Sequence, residues 1–375
     1  MKPLALYIHI PFCRSKCIYC DFASYPNSED RIEPYLSALK EELCSWKCAL
    51  QGYELSSIFI GGGTPSILSG QQIEDLLRAV RRTIPVRSDA EITMEANPGT
   101  VNLRKLQICR RSGVNRISFG AQSMNDRLLK KLGRIHTAAE IREAVVMARE
   151  AGFNHVSLDL MYALPGQTTE LWRDTLDQAI ALNPDHISAY SLIVEEGTPM
   201  YDLAESGKVD LPDDDNVIKM QHIAIDRLAD AGYHRYEISN YARPGCECRH
   251  NIVYWQRGEY LGVGCAAHSL MNGERFENPR SLSEYLAGAR RCDRIALTRE
   301  DEMEETLMLA TRMTQGMNLE DYRSRFGVDF AAVHEASLRR LRALGLIEID
   351  SGFLRLTRRG LEVQNAVVVE LLQEE

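Results

Sequence analysis

Cys13, Cys17 and Cys20 fall within eight residues, directly after an apolar opening segment, Leu4 to Ile10. Thiolates are soft ligands, suited to zinc and to iron–sulfur clusters. A structural zinc site takes four ligands, usually as two close-spaced pairs, and no second Cys-x-x-Cys pair occurs in the chain. Three ligands instead hold a [4Fe–4S] cluster and leave one iron open to a further ligand. The spacing therefore predicts a cluster on Cys13, Cys17 and Cys20, with zinc or incidental thiols as the alternative. Gly61-Gly62-Gly63-Thr64-Pro65 is a second candidate, because glycines let a backbone approach a bound group closely. Tight turns use the same residues, so its position decides its weight. Glu95, Gln122 and Asp159 are polar residues at or near the ends of three predicted strands. Each alone is equally well a structural cap, but together they fall on one rim.

The elements that must position these residues alternate. Strands are expected at 4–10, 56–60, 91–95, 116–120, 155–160 and 186–192, and helices at about 31–50, 102–112, 138–151 and 170–182. A further helix carries Ile73, Leu76, Leu77 and Val80 on one stripe. Strands separated by helices imply a parallel sheet, and six such units fit a partial (β/α)6 barrel better than the closed eight-stranded form. The C-terminal ends of barrel strands carry the chemistry. That is where the glycine run, Glu95, Gln122 and Asp159 collect, beside the cysteine loop.

The domains expected are 1–235, the barrel; 236–295, an irregular or small β region over one barrel mouth; and 296–375, a winged-helix-like α+β module. Arg339, Arg340, Arg342, Arg355, Arg358 and Arg359 give that module a basic face. A net charge of -9 argues against nucleic acid as a partner and favours a solvated face there. A hydrophobic content of 45% with no apolar run near ~20 residues indicates a soluble protein. Met1-Lys2-Pro3 leads straight into the first strand, so no export signal is expected and the compartment is the reducing cytoplasm. Cys44 and Cys48 read as helix packing, and Cys109, Cys246, Cys248, Cys265 and Cys292 as local thiols without a site.

Cys-x-x-x-Cys-x-x-Cys with Tyr19 before the last cysteine resembles the radical S-adenosylmethionine (SAM) superfamily. The flanking Tyr7-Ile-His-Ile-Pro-Phe-Cys13 and Cys20-Asp-Phe resemble the branch that holds the anaerobic coproporphyrinogen III dehydrogenase (HemN) and the HemW-type haem chaperones. The resemblance covers essentially the whole chain. It implies that SAM chelates the open iron and that an electron from the cluster can cleave its sulfonium bond. It also places Tyr7, Gly62 and Glu95 on cluster-bound SAM. Gly63, Thr64, Gln122, Arg134 and Asp159 match positions assigned to a second SAM in the dehydrogenase. On residue type alone, Tyr7 is equally a barrel-interior aromatic and Arg134 a surface charge.

Three features separate the two family readings. Phe22 stands where the dehydrogenase has a fourth cysteine, and only twelve residues precede Cys13, leaving no room for the dehydrogenase's N-terminal extension. His250-Asn251-Ile-Val-Tyr254-Trp255 matches the His-Asn-x-x-Tyr-Trp signature of the HemW-type proteins. Imidazole is an axial ligand of haem iron, so the resemblance makes His250 the candidate ligand; a histidine beside aromatics is otherwise structural. His268, in Tyr260-Leu-Gly-Val-Gly-Cys-Ala-Ala-His268, is a second candidate. The expectation is a protein that binds a [4Fe–4S] cluster, SAM and haem and passes haem to apo-haemoproteins. The resemblance adds respiratory enzymes as clients, peripheral membrane contact, and a reductant such as a flavodoxin. The alternatives are a coproporphyrinogen III oxidase/dehydrogenase and a radical SAM enzyme of another substrate.

Overall fold

The computed structural model describes residues 1–373. Strands β1 (Lys2–Ile10), β2 (Tyr53–Gly62), β3 (Val86–Ala96), β4 (Arg116–Gln122), β5 (His155–Tyr162) and β6 (His186–Ser191) lie side by side in that order. All neighbouring pairs among them are parallel. Between them run helices α1 (Ile32–Ser45), α2 (Gly70–Thr83), α3 (Leu103–Arg111), α4 (Asp126–Lys131), α5 (Ala138–Glu150) and α6 (Thr169–Ala181). With the helix Asp214–Asp230 after β6, the six expected β/α units are all present.

Period-2 alternation explains the layering. Ile58 and Ile60 of β2, Ile92 and Met94 of β3, and Ile117 and Phe119 of β4 join a core with Leu36, Leu39, Ile73 and Leu76 of the helices. Their neighbours in sequence face the other way, and that inner row is polar: Thr93, Glu95, Ser118, Asp159 and Ser188. A closed barrel fills the same space with Val, Ile and Leu. Here the interior is kept for binding.

Within residues 236–295 the helix Arg249–Trp255 packs on Ser57 and Glu91 at the N-terminal end of the barrel, and the strands take another place. They extend the sheet at both edges. β7 (His234–Arg235) and β8 (Asn240–Ala242) add antiparallel beyond β6, and β9 (Tyr260–Val263) pairs parallel with β1, Tyr7 opposite Gly262. β10 (His268–Met271), β11 (Glu274–Glu277) and β12 (Cys292–Ala296) follow antiparallel. Glycine is a poor strand former, but a Cβ at Gly262 would lie 2.2 Å from the His268 carbonyl, so the hairpin demands it. Leu261, Val263, Met271 and Phe276 belong to the same core as the barrel helices. The boundary expected at 235 therefore runs through one core.

The C-terminal module has its own core of Leu307, Tyr322, Phe326, Leu338, Leu341 and Leu354. Helices Arg299–Ala310, Leu319–Phe326 and Glu335–Ala343 precede a hairpin of Ile347–Asp350 with Phe353–Leu356, the expected order for a winged helix. Four of the six arginines of its basic face are engaged by carboxylates: Arg339 by Glu335, Arg340 by Glu370, Arg355 by Asp350, and Arg358 by Asp226. Cys44 and Cys48 are exposed, not packed. α1 buries Leu36, Leu39 and Leu43, and one residue beyond Leu43 the helix has turned Cys44 outward. Among the described residues no helix is long and apolar enough to cross a membrane.

Candidate functional site

The cysteine loop leaves the end of β1 and is closed by a short ladder pairing Phe12 with Tyr25 and Cys13 with Pro26. Cys13, Cys17 and Cys20 line a cavity of about 410 Å³ at the C-terminal ends of the barrel strands. Among the described residues no three His, Cys, Asp or Glu side chains close on a single ion; the thiols stand around the cavity instead. A cubane binds its ligands at separate corners, so that arrangement suits a cluster. Burial pushes the Cys13 and Cys20 thiols above the ordinary range, and iron must displace those protons to bind.

The glycine run is shaped by the loop. Gly63 N–H donates to Ile10 O (2.9 Å) and Thr64 N–H to Phe12 O (2.8 Å). A Cβ at Gly63 would sit 2.7 Å from Phe12 O and 2.9 Å from Cys13 Sγ. Gly62 has φ +113°, and a Cβ there would meet the His9 ring at 2.6 Å. Thr64 Oγ1 donates to Cys13 Sγ and Arg134 Nη1 to Cys17 Sγ, both at 3.4 Å. Hydrogen bonds to the sulfurs tune a cluster's potential.

Gly62, Gly63, Thr64, Glu95, Gln122, Arg134 and Asp159 all line this one cavity. Arg134 is not a surface charge: Nη2 donates to the Gly120 carbonyl, and Nε is buried without a partner among the described residues. Gln122 takes φ +64° at the end of β4, a left-handed backbone uncommon for a side-chain-bearing residue and typical of ligand clamps. Asp159 accepts from Ser118 Oγ at 3.0 and 3.1 Å; burial nevertheless holds its carboxyl above the ordinary range. An unpaired guanidinium nitrogen, a glycine cradle and two buried carboxyls fit a zwitterionic, cationic ligand such as SAM. Tyr190, at the end of β6, lines the cavity too; its strand-end position was the signal that could have singled it out.

Glu95 accepts from Gly62 N–H at 3.1 Å. Burial, then repulsion from Asp159, raise its carboxyl to about 8, against the pull of that N–H. The folded protein thus holds this proton more tightly than the unfolded chain, so ionisation between 4.5 and about 8 costs stability. A cationic ligand beside the carboxylate reverses that cost. The affinity for SAM of wild type relative to Glu95→Gln is therefore expected to rise with pH up to about 8, by at most roughly tenfold per unit, and then level. The ratio cancels the titration of SAM's own amino group. Calorimetric titration across this range checks it, and a flat ratio would remove Glu95 from the SAM site.

Tyr7 and His250 are not part of this cavity. Tyr7 donates to or accepts from His9 Nδ1 at 2.9 Å and lines a second cavity of about 490 Å³. His250 is wholly buried at the other end of the barrel, in helix α7 (Arg249–Trp255). Its Nδ1 meets Ser57 Oγ at 2.9 Å and its Nε2 meets Tyr254 Oη at 2.8 Å. The ring stacks on Phe59, and burial lowers its pKa to about 3. Both ring nitrogens are occupied, so His250 offers none to an iron in this arrangement; it anchors α7.

What α7 presents to the second cavity is Tyr254 and Trp255, with His268, Arg275 and Arg280 from the β9–β12 region opposite. Phe22, 61% exposed, borders both cavities. The aromatic at the fourth-cysteine position thus stands between them.

Comparison with known proteins places these features. The radical SAM superfamily profile matches residues 7–179, and the HemN C-terminal domain matches 297–363. The chain is 36% identical over 374 residues to "Heme chaperone HemW" of Bacillus subtilis, covering 98% of this chain and 99% of that one. It is 46% identical over 269 residues to the HemW of Escherichia coli, covering 72% and 70%. The solved structure of coproporphyrinogen III oxidase (HemN) from Escherichia coli, a radical SAM enzyme, superposes with a TM-score of 0.86 at 27% identity, covering 99% of this chain and 90% of that chain.

Proposed function

The chain belongs to the HemW family of radical SAM proteins, and from that premise we propose that it is a haem-binding protein that hands its haem to apo-haemoproteins. In this reading Cys13, Cys17 and Cys20 hold a [4Fe–4S] cluster, and Gly62 and Glu95 hold SAM in the same cavity. Bound together, cluster and SAM supply a reducing electron and a cleavable sulfonium; this chain's residues bind, orient and shield them. By resemblance, Gly63, Thr64, Gln122, Arg134 and Asp159, which line the same cavity, would face a second SAM. The reaction is cytoplasmic, with a flavodoxin-like reductant, and the clients include respiratory enzymes met at the inner face of the membrane.

One observation carries the choice of chaperone over oxidase. The His-Asn-x-x-Tyr-Trp segment folds as a helix whose Tyr254 and Trp255 line a second cavity. Its volume suits a ligand of drug or cofactor size. Aromatic lining apart from the cluster cavity gives a flat macrocycle a place of its own. The same chain has Phe22 in place of the dehydrogenase's fourth cysteine.

A paired assay on anaerobically reconstituted protein separates the readings. Haem is expected to bind with a visible Soret band, while coproporphyrinogen III is left intact. Conversion of coproporphyrinogen III to protoporphyrinogen would establish the oxidase instead, and the absence of both would favour a radical SAM enzyme of another substrate.

A further inference from the structure

Three histidines lie on or beside the second cavity, and they differ in what their nitrogens are free to do. His9 is 5% exposed and uses both ring nitrogens, Nδ1 with Tyr7 Oη and Nε2 with the Ala23 carbonyl, each at 2.9 Å. His250, behind Tyr254, is likewise buried and doubly bonded. His268 is different. It opens β10 with its side chain 66% exposed, and its Nε2 meets Glu277 Oε2 at 2.8 Å. Neither ring nitrogen makes an aligned hydrogen bond among the described residues; the contact with Glu277 is an ion-pair distance.

That pattern has a chemical meaning. A metal-binding imidazole donates its other ring N–H to a carboxylate or carbonyl, which fixes the tautomer and raises the basicity of the coordinating nitrogen. Glu277, on the neighbouring strand β11 and opposite His268 in register, holds its carboxylate 2.8 Å from Nε2, so a turn of the exposed ring makes that bond and leaves the Nδ1 lone pair available. The rest of the cavity suits the remainder of a haem. Trp255 and Tyr254 line the slot with aromatic surface, the Arg312 guanidinium lies over the Trp255 ring, and the indole Nε1–H of Trp255 is buried without an acceptor among the described residues. Leu309, from the C-terminal module, supplies an aliphatic side to the same space.

The polar rim supplies anion contacts. Arg280 is exposed and makes no ion pair among the described residues, and Arg275 keeps Nη2 unengaged while Nε holds Glu305 and Nη1 holds Tyr260 Oη. Guanidinium groups take carboxylates in paired hydrogen bonds. A porphyrin with two propionates matches an arginine-bearing rim around an aromatic slot.

We propose that haem iron is bound by His268 Nδ1 in this second cavity, with Glu277 as the positioning residue and Arg280 and Arg275 facing the propionates, while His250 holds the helix that forms the opposite wall. The coordination step forms one nitrogen–iron bond from the Nδ1 lone pair; no proton leaves, because the neutral ring keeps its proton on Nε2 beside Glu277, and no electron is transferred. This assignment rests on the haem-binding reading above but fixes the ligand that reading leaves open.

The test uses full-length, anaerobically reconstituted protein titrated with hemin, followed by visible absorption and electron paramagnetic resonance. His268→Ala is expected to change the axial-ligand spectrum and lower haem affinity by about tenfold or more. Glu277→Gln should weaken haem about tenfold while keeping a histidine-ligated spectrum, and Arg280→Glu should weaken it with the spectrum unchanged. His268 and Arg280 are exposed, so these variants should keep the wild-type far-ultraviolet circular dichroism and cluster iron. If wild type binds no haem, the haem-binding reading fails. If wild type binds and His268→Ala gives the same spectrum and affinity, that reading stands and the His268 assignment is overturned.

Discussion

Replacing Cys13, Cys17 and Cys20 together with alanine is expected to give a folded protein that, after anaerobic reconstitution, carries no cluster iron and no broad visible absorption. The fold should persist because the loop is built on top of the barrel. Of the three, only Cys13 is fully buried, and none belongs to the apolar core that joins the strands to α1–α6. SAM binding should fall with the cluster, which in the proposed reading shares the cavity with SAM. Alanine at Cys246 and Cys248 is the control. Cys248 is buried at the other end of the barrel, where its thiol donates to Glu91 Oε1 at 3.4 Å, so that pair of changes should leave cluster iron at the wild-type level. Iron analysis with visible spectroscopy checks both. Full iron retention in the triple variant would move the ligand set away from this loop.

The parts of the site that are legible in the sequence are those written locally. Cysteine spacing, a glycine run after a strand and polar strand ends each depend on a few adjacent residues, and every one of them reaches the first cavity. Arg134 was legible only through the family resemblance, because nothing in Lys131-Leu-Gly-Arg134 announces that its side chain turns inward to Cys17 and Gly120. For the second cavity the sequence marks the Tyr254-Trp255 motif and His268, but not that they meet in one space. It is assembled from β1, the cysteine loop, α7, β9, β10 and the first helix of the C-terminal module, segments separated by up to some three hundred positions. The pairing of Tyr260–Val263 with β1 spans about as much chain, and a four-residue strand with a central glycine gives no periodic signal. His250 shows the same limit from the other side. The motif marks a place of importance, but whether its imidazole binds iron or holds a helix is decided by Ser57, some 190 positions earlier.

Holding that helix is the task of Glu91, and its loss is the second large effect expected. The N-terminal N–H groups of a helix have no partners within it, and α7 has Cys248 at its cap position with no side-chain capping bond. Glu91, 6% exposed on β3, fills the gap from outside: Oε1 accepts from His250 N–H at 3.0 Å and Oε2 from Arg249 N–H at 3.1 Å. Arg116, 3% exposed, stands 3.8 Å from the same carboxylate, and its Nη1 donates to Cys246 O at 2.9 Å. Glu91→Leu would strand two helix donors and a buried guanidinium, and removing one member of a buried pair costs about 3–5 kcal/mol. Glu91→Gln keeps an acceptor for one N–H and should cost less, about 1–3 kcal/mol. Urea unfolding followed by circular dichroism measures both, and haem binding should weaken in step, because Tyr254 and Trp255 ride on α7. The partner variant decides whether the effect is the unpaired charge. If it is, Glu91→Leu combined with Arg116→Met should recover a large part of the loss, since replacing a buried ion pair by apolar side chains of similar volume is often neutral or stabilising. Strict additivity of the two single changes would instead show that Glu91 acts on the helix alone, through the backbone of Arg249 and His250.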